Sequence, residues 1–226
     1  VALESSIGTW TTISTMNPTV ANTLKPSVFY INKNRNTIRI AYPQELFEPG
    51  NMPQILSAIA GNIYGMKLVK NLRLEDVTFT KKLVKSFPGP RFGIDGIRKL
   101  TRVKSRPLVG TIVKPKVGLT ARQHAEVAYN AWVGGLDIVK DDENLTSMSF
   151  NSFKDRIKLT LRMRKKAEEL TKEKKIYMPN VTSETMEMLK RAEYVKQHGG
   201  EYIMIDILTA GFSGLQTLRR YNKRQF

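Results

Sequence analysis

The sequence contains no cysteine, and this absence removes any disulfide framework. It contains no run of about 18 apolar residues, so we expect no membrane span. No secretory signal peptide is visible at Val1. These absences fit a protein of the reducing cytoplasm, and we expect a cytoplasmic location.

Acidic residues are few: 20 Asp and Glu stand against 37 Lys and Arg, which gives a net charge of +17. Such a balance invites a nucleic-acid interpretation. The basic residues are spread along the chain, however, and no C-x-x-C finger or aromatic RNA-binding motif accompanies them. We therefore favour a solvated basic face over a nucleic-acid surface, and a positive field would also attract a phosphorylated substrate.

The 226 residues are enough for one or two domains, and the 41% hydrophobic content is ordinary for a soluble globular protein. The clearest boundary is the segment Ser86–Gly93, where two prolines and two glycines cannot continue a helix or a strand. We predict one domain over residues 1–85 and a second over 86–226.

The first domain is predicted to be an α+β unit, with helices on a ferredoxin-like sheet. Residues 27–31 and 37–42 are rich in β-branched and aromatic side chains, and the polar link between them is typical of a hairpin loop. Asn51 and Pro53 begin a helix. Partial alternation over residues 71–80 predicts a further strand.

The second domain repeats one pattern, a short apolar strand followed by a helix. Thr120 and Gln123 form a capping box at the first of these helices. Four βα units in a row imply parallel strands, and we predict an α/β domain that is the first half of a (β/α)₈ TIM barrel. The predicted strands cover residues 108–114, 136–140, 176–181 and 202–208, and the helices cover 120–133, 149–173 and 184–197, with a fourth beginning near Gly211.

Three acids follow the second of these strands, directly after Lys140. Because side chains alternate along a strand, Lys140 and Asp142 point the same way, and Glu143 can swing to that side where the chain bends. Carboxylate oxygens suit Mg²⁺. The lysine can remain a cation in an ion pair, or react with CO2 and become a carbamate, a third oxygen ligand. In isolation, an ion pair of Lys140 with Asp142 is the more common outcome for such a segment.

Other polar residues fall at the same edge of the predicted barrel, where barrel enzymes carry out catalysis. Lys114 and Lys116 close the first strand, Asn180 lies near the end of the third, and Asp206 lies within the fourth. Each has a structural alternative: Asn180 as a turn residue, Asp206 as a cap or an ion-pair partner. Together they indicate a site.

Three segments carry a family resemblance: G-T-I-V-K-P-K-V-G-L-T at 110–120, G-G-L-D-I-V-K-D-D-E-N at 134–144 and E-S-S-I-G-T-W-T-T at 4–12. In this order and spacing they closely resemble the large subunit of ribulose-bisphosphate carboxylase (RuBisCO), most of all its archaeal forms. The resemblance runs over essentially the whole chain. It implies an α+β N-terminal domain followed by a catalytic barrel, as the element pattern predicts.

The resemblance also implies a metal site and a reaction. Lys140 would be carbamylated by CO2 and would hold Mg²⁺ together with Asp142 and Glu143. Lys114 would be the acid/base lysine beside the substrate, and Lys116 would contact or support it. The reaction would be carboxylation of ribulose 1,5-bisphosphate through an enediolate, with oxygenation as a side reaction.

The remaining implied residues lie in the first domain. Thr9 and Trp10 would help to bind one phosphate, and Glu4 and Asn62 would reach into the active site of a partner subunit. In this family the site is shared between subunits, so a homodimer is the smallest expected assembly. For archaeal-type members the resemblance suggests a role in nucleotide salvage, including AMP metabolism.

Two alternatives remain open. RuBisCO-like enolases or isomerases of sulfur salvage keep the lysine and the metal acids but usually change substrate residues, whereas Glu4, Thr9, Trp10 and Asn62 match the carboxylase pattern. The other alternative is a non-catalytic truncated product. Residues 219–226 do not resemble the family's continuation into four further strands, so we expect the 226-residue chain alone to be catalytically incompetent.

Overall fold

The chain divides between Phe87 and Pro88 into two units, within the segment rich in proline and glycine. A computed structural model describes residues 1–9 and 11–222. None of the helices in these residues has the length and apolar character needed to cross a membrane.

The first unit combines helices with an antiparallel hairpin. Its strands pair from Ser27 opposite Ala41 to Asn32 opposite Thr37, which confirms the predicted hairpin. The side chain of Asn51 accepts a hydrogen bond from the backbone N–H of Gln54 and so caps the next helix as predicted. The elements are α1 (Pro18–Leu24), β1 (Ser27–Asn32), β2 (Thr37–Ala41), α2 (Met52–Ala60) and α3 (Lys81–Lys85).

The strand predicted over residues 71–80 is wrong. This segment has no regular secondary structure, and none of the described residues forms a strand ladder with it. A strand needs a neighbour for its backbone N–H and C=O groups. Leu74 and Phe79 also remain exposed, so the alternation that suggested a strand does not reflect a buried face.

The second unit alternates strands with helices around a parallel sheet in the order β3-β4-β5, which confirms the α/β class. Gly110 begins β3 where a Cβ atom would lie 2.9 Å from the Cβ of Ile138, so a larger residue would push the paired strands apart. The elements are α4 (Ile94–Thr101), β3 (Gly110–Ile112), α5 (Ala121–Val133), β4 (Ile138–Lys140), α6 (Phe153–Thr171), β5 (Ile176–Met178), α7 (Thr185–Gln197) and α8 (Ile207–Tyr221).

Side-chain caps set where these helices begin. The capping box of Thr120 and Gln123 is present at α5, as predicted. Ser152 accepts a hydrogen bond from the N–H of Asp155, so α6 begins at Phe153, four residues later than predicted.

The fourth predicted strand, 202–208, is reduced to a single parallel bridge between Asn180 and Met204. The side chain of Asp206 accepts a hydrogen bond from the N–H of Leu208 at 3.1 Å and caps α8, which therefore begins at Ile207. The cap converts the end of the predicted strand into a single helical turn. The non-helical backbone of Gly211 (φ 75°, ψ 163°) separates this turn from the longer helical segment that follows, near where the sequence predicted a helix to begin.

The core of the second unit lies between the sheet and its helices. Trp132 from α5, Ile157 from α6 and Val139 from β4 are each 0% exposed. Burying a side chain of this kind contributes about 1.5–3 kcal/mol to stability. The indole N–H of Trp132 also donates to the carbonyl of Ile176 at 3.2 Å, which fixes α5 against β5.

A bidentate ion pair lies where the chain enters β4. Arg106 donates to both carboxylate oxygens of Asp137 at 2.6 and 2.7 Å, and the N–H of Val109 donates to the same carboxylate at 2.9 Å. The hydrogen bond from Arg106 outweighs the effect of burial and lowers the pKa of Asp137.

Asp137→Asn should lower the free energy of unfolding by about 1–3 kcal/mol at pH 7, because a charge-assisted hydrogen bond is lost. An unfolded aspartate titrates near pH 4 and the folded one below it, so Asp137 stabilises the fold above pH 4 and loses this effect as pH falls through its folded pKa. The difference between variant and wild type should therefore shrink towards pH 3 in urea denaturation. Glu126→Gln, at an exposed position within α5, is the control. A difference that is the same at both pH values would contradict this assignment.

Candidate active site

Charged side chains meet at the carboxyl ends of β3 and β4. The parallel register places Ile112 beside Lys140, and Lys140 beside Met178. Lys114 lies two residues beyond Ile112, and Asp142 lies two residues beyond Lys140. We call this edge of the sheet, which carries Lys114, Lys140, Asp142 and Glu143, the rim. It is the edge at which the sequence predicted a site.

Lys140 is paired with Glu143. Its Nζ lies 2.5 Å from Oε1 of Glu143 and 3.2 Å from the sulfur of Met204, and it donates to the carbonyl of Asp141 at 3.3 Å. The side chain of Lys140 is 23% exposed. The simple ion pair considered for this segment joined Lys140 to Asp142, but the partner is Glu143, which follows the bend in the chain.

Asp142 is paired with Lys114 from the neighbouring strand. The Nζ of Lys114 lies 3.0 Å from Oδ2 of Asp142, and the N–H of Asn144 donates to Oδ1 at 3.1 Å. Burial acts to raise the pKa of Asp142, but these two hydrogen bonds and the charges of Lys114 and Lys116 outweigh it and lower the pKa. Asp142 is therefore a carboxylate at neutral pH.

Glu143 is also held as a carboxylate, because the hydrogen bond from Lys140 lowers its pKa. The negative charge of Asp142 acts in the opposite direction on Glu143, so the two acids lie close enough to influence each other. The rim thus combines two neighbouring carboxylates with a lysine beside each.

Asp141, between these residues, was not singled out from the sequence. Its side chain is 0% exposed and accepts hydrogen bonds from the guanidinium of Arg156 at 3.0 Å and the hydroxyl of Tyr177 at 2.8 Å. Burial acts to raise its pKa, but the charge of Arg156 and the neighbouring donors lower it. The signal was available: strand alternation turns the middle acid of three towards the core, where a carboxylate needs a cation.

Two further residues of the predicted rim have structural contacts. The side-chain amide of Asn180 donates to the carbonyls of Glu143 at 3.0 Å and Leu145 at 3.2 Å, so Asn180 supports the acidic segment. Asp206 caps α8 and accepts a hydrogen bond from the hydroxyl of Thr209, which is the structural alternative considered for it.

The substrate residues expected in the first domain lie in the first unit. Glu4 is half-buried, Thr9 is exposed, and Asn62 is exposed at the start of a short 3₁₀ turn, Asn62–Gly65. Trp10 lies outside the described residues. Lys116, in the second unit, is exposed beyond β3.

The rim as it stands offers too few oxygen ligands for a metal ion. Within residues 1–9 and 11–222, no cluster of three or more His, Cys, Asp or Glu side chains could hold a metal ion. The rim supplies two carboxylates and an amine at hydrogen-bonding distance from one of them. The residues therefore fit a divalent cation if Lys140 provides the third oxygen ligand.

Comparison with known proteins identifies the same two parts of the chain. The family model "Ribulose bisphosphate carboxylase large chain, N-terminal domain" matches residues 1–83, and the model "Ribulose bisphosphate carboxylase large chain, catalytic domain" matches residues 93–226. The ribulose bisphosphate carboxylase of Methanosarcina mazei is 55% identical over 220 residues, covering 97% of this chain and 51% of that protein. The corresponding protein of Methanocaldococcus jannaschii is 54% identical, with 97% and 53% covered.

Solved structures agree with this similarity. The octameric ribulose-1,5-bisphosphate carboxylase/oxygenase of Pyrococcus horikoshii matches with a TM-score of 0.92 at 46% identity, covering 98% of this chain and 53% of that one. The dimeric archaeal Rubisco of Hyperthermus butylicus matches with a TM-score of 0.91 at 43% identity, with 98% and 52% covered. The chain spans about half the length of the relatives that it matches.

Lys114→Met should raise the pKa of Asp142, because it removes a hydrogen bond and a positive charge and leaves the effect of burial less opposed. Carbon-13 NMR titration of the aspartate carboxyl groups measures this shift. Lys104→Met, at an exposed lysine, is the matched control. An unchanged titration of Asp142 in the Lys114 variant would contradict the ion pair at the rim.

Proposed function

Since the chain belongs to the ribulose bisphosphate carboxylase large-chain family, we propose that the protein carrying it adds CO2 and water to ribulose 1,5-bisphosphate and cleaves a carbon–carbon bond of the sugar, giving two molecules of 3-phosphoglycerate and two protons. Oxygenation would be the side reaction. The observation that carries the proposal is the rim, where Lys140 contacts Glu143 and Lys114 contacts Asp142. The relatives and structures compared above are named carboxylases, which supports this activity over the enolase alternative.

Lys140 has the chemistry required for the proposed modification. Its neutral amine attacks CO2, a nitrogen–carbon bond forms, and one proton is released. The product carries a negative charge, so Lys140 no longer neutralises Glu143. Three anionic groups would then share the rim, an arrangement that a divalent cation compensates.

Lys140 as carbamate, Asp142 and Glu143 would hold the metal. Magnesium bound there supplies Lewis-acid polarisation of a substrate carbonyl. All three would offer oxygen atoms, the ligand type that Mg²⁺ prefers.

Lys114 would move the proton during the reaction. Its side chain is 61% exposed and its Nζ contacts Asp142, so the amine is open to a substrate while remaining beside the metal acids. General acid–base catalysis requires this combination of reach and position. Lys116, exposed on the same segment, would contact the substrate.

The first unit would serve a second subunit. Thr9 and Trp10 would bind a phosphate, and Glu4 and Asn62 would complete the site of a partner in a homodimer or larger assembly. The dimeric and octameric carboxylases compared above support an oligomer. The cytoplasmic location expected from the sequence stays a prediction.

We expect Lys140 to form a carbamate that Mg²⁺ stabilises. With ¹³C-labelled CO2, an NMR carbamate signal should appear on addition of Mg²⁺ and should be absent in Lys140→Arg, which keeps the charge but lacks the amine. Lys158→Arg, at an exposed site on α6, should keep the signal. A carbamate that persists in the Lys140 variant would place the modification elsewhere.

We also expect the 226-residue chain alone not to turn over ribulose 1,5-bisphosphate, since it spans about half the length of the carboxylases that it matches. Incorporation of labelled CO2 into 3-phosphoglycerate measures this activity. Clear turnover by this chain would show that its residues suffice.

A further inference from the structure

The carboxylate of Asp141 contacts four residues, which lie in α5, α6, β5 and just beyond β5. It accepts hydrogen bonds from Nε of Arg156 at 3.0 Å, the hydroxyl of Tyr177 at 2.8 Å and the backbone N–H of Asn180 at 3.0 Å. The Nε2 atom of His124 lies 3.1 Å from the same carboxylate. All four residues are buried, so the carboxylate has no access to solvent.

The partners of Asp141 also hold the acidic segment that follows it. The side-chain amide of Asn180 donates to the carbonyls of Glu143 and Leu145 and, at 3.4 Å, to that of Asp142. The guanidinium of Arg156 donates to the carbonyl of Thr146 at 2.7 Å. Backbone carbonyls within residues 142–146 are thus bonded to the side chains of two residues that Asp141 also binds, Arg156 through its guanidinium and Asn180 through its backbone N–H.

We propose that Asp141, Arg156, Tyr177 and Asn180 form a positioning network that sets the backbone of residues 142–146 before a divalent cation binds. The inference rests on the proposed function, because it concerns the two acids that would hold the metal. Asp141 is a positioning residue in this account, since its side chain points into the core and the acids beside it face the rim.

Stability alone gives a weak reason for such a network. A buried ion pair must offset the loss of hydration of both charges, and well-packed apolar side chains often stabilise a fold as well. Apolar packing cannot fix backbone carbonyls in this way. The network can, because it directs hydrogen-bond donors at several carbonyls of one short segment. Ligands that are already ordered lose less conformational entropy when they bind a metal.

Tyr177→Phe tests the network, because it removes the hydroxyl that donates to Asp141 and leaves the aromatic ring in place. Tyr194→Phe is the matched control, since the buried hydroxyl of Tyr194 has no hydrogen-bond partner among the described residues. Hydrogen exchange is measured on the metal-free 226-residue chain at the amides of Asn144 and Leu145, which are bonded to Asp142. We expect exchange about tenfold faster in Tyr177→Phe, and within twofold of wild type in Tyr194→Phe.

A second measurement follows Mg²⁺ binding by the carbamate signal with ¹³C-labelled CO2. The apparent Kd for Mg²⁺ should rise about tenfold or more in Tyr177→Phe and stay within twofold in Tyr194→Phe. Equal exchange in the two variants would overturn the network. A wild-type chain that forms no carbamate would instead contradict the proposed function, while the exchange rates would still decide the network.

Discussion

The ion pair between Asp141 and Arg156 is the interaction on which the rim depends. Both side chains are 0% exposed, and a carboxylate buried without a cation would lose its charge or unfold its surroundings. Arg156 holds both ends of the segment 141–146, because it donates to the carboxylate of Asp141 and to the carbonyl of Thr146. The end of β4 is therefore held by buried contacts on its core side. In this account those contacts set the positions of Lys140, Asp142 and Glu143.

The rim pairs two positive with two negative side chains, and its net charge would become negative if Lys140 were converted to a carbamate. Lys114 and Lys140 each neutralise one carboxylate, and the pKa values of Asp142 and Glu143 are lowered as a result. A lysine placed against an acid is stable without further chemistry. Conversion of Lys140 to an anion, as proposed, would remove one of the two neutralising charges and leave three anionic groups for a divalent cation to bind.

Local signals predicted much of this structure from the sequence. The caps at Asn51 and Thr120 and the alternation of strands with helices have short-range causes, and the structure contains them. Long-range pairing is harder to predict: residues 71–80 lack a neighbouring strand among the described residues, and Asp206 caps a helix where a strand was expected. The residues of the rim could be predicted from strand alternation. The buried partners of Asp141 could not, because they come from α5, α6 and β5, which only the tertiary structure brings together.

A crystal structure of the chain grown with Mg²⁺ and bicarbonate tests the central claim most directly. The account predicts additional density on the Nζ of Lys140 and a metal about 2.0–2.1 Å from oxygens of Asp142 and Glu143, with Asp141 still bound to Arg156. An unmodified Lys140 that keeps its contact with Glu143, with the metal bound elsewhere, would contradict it.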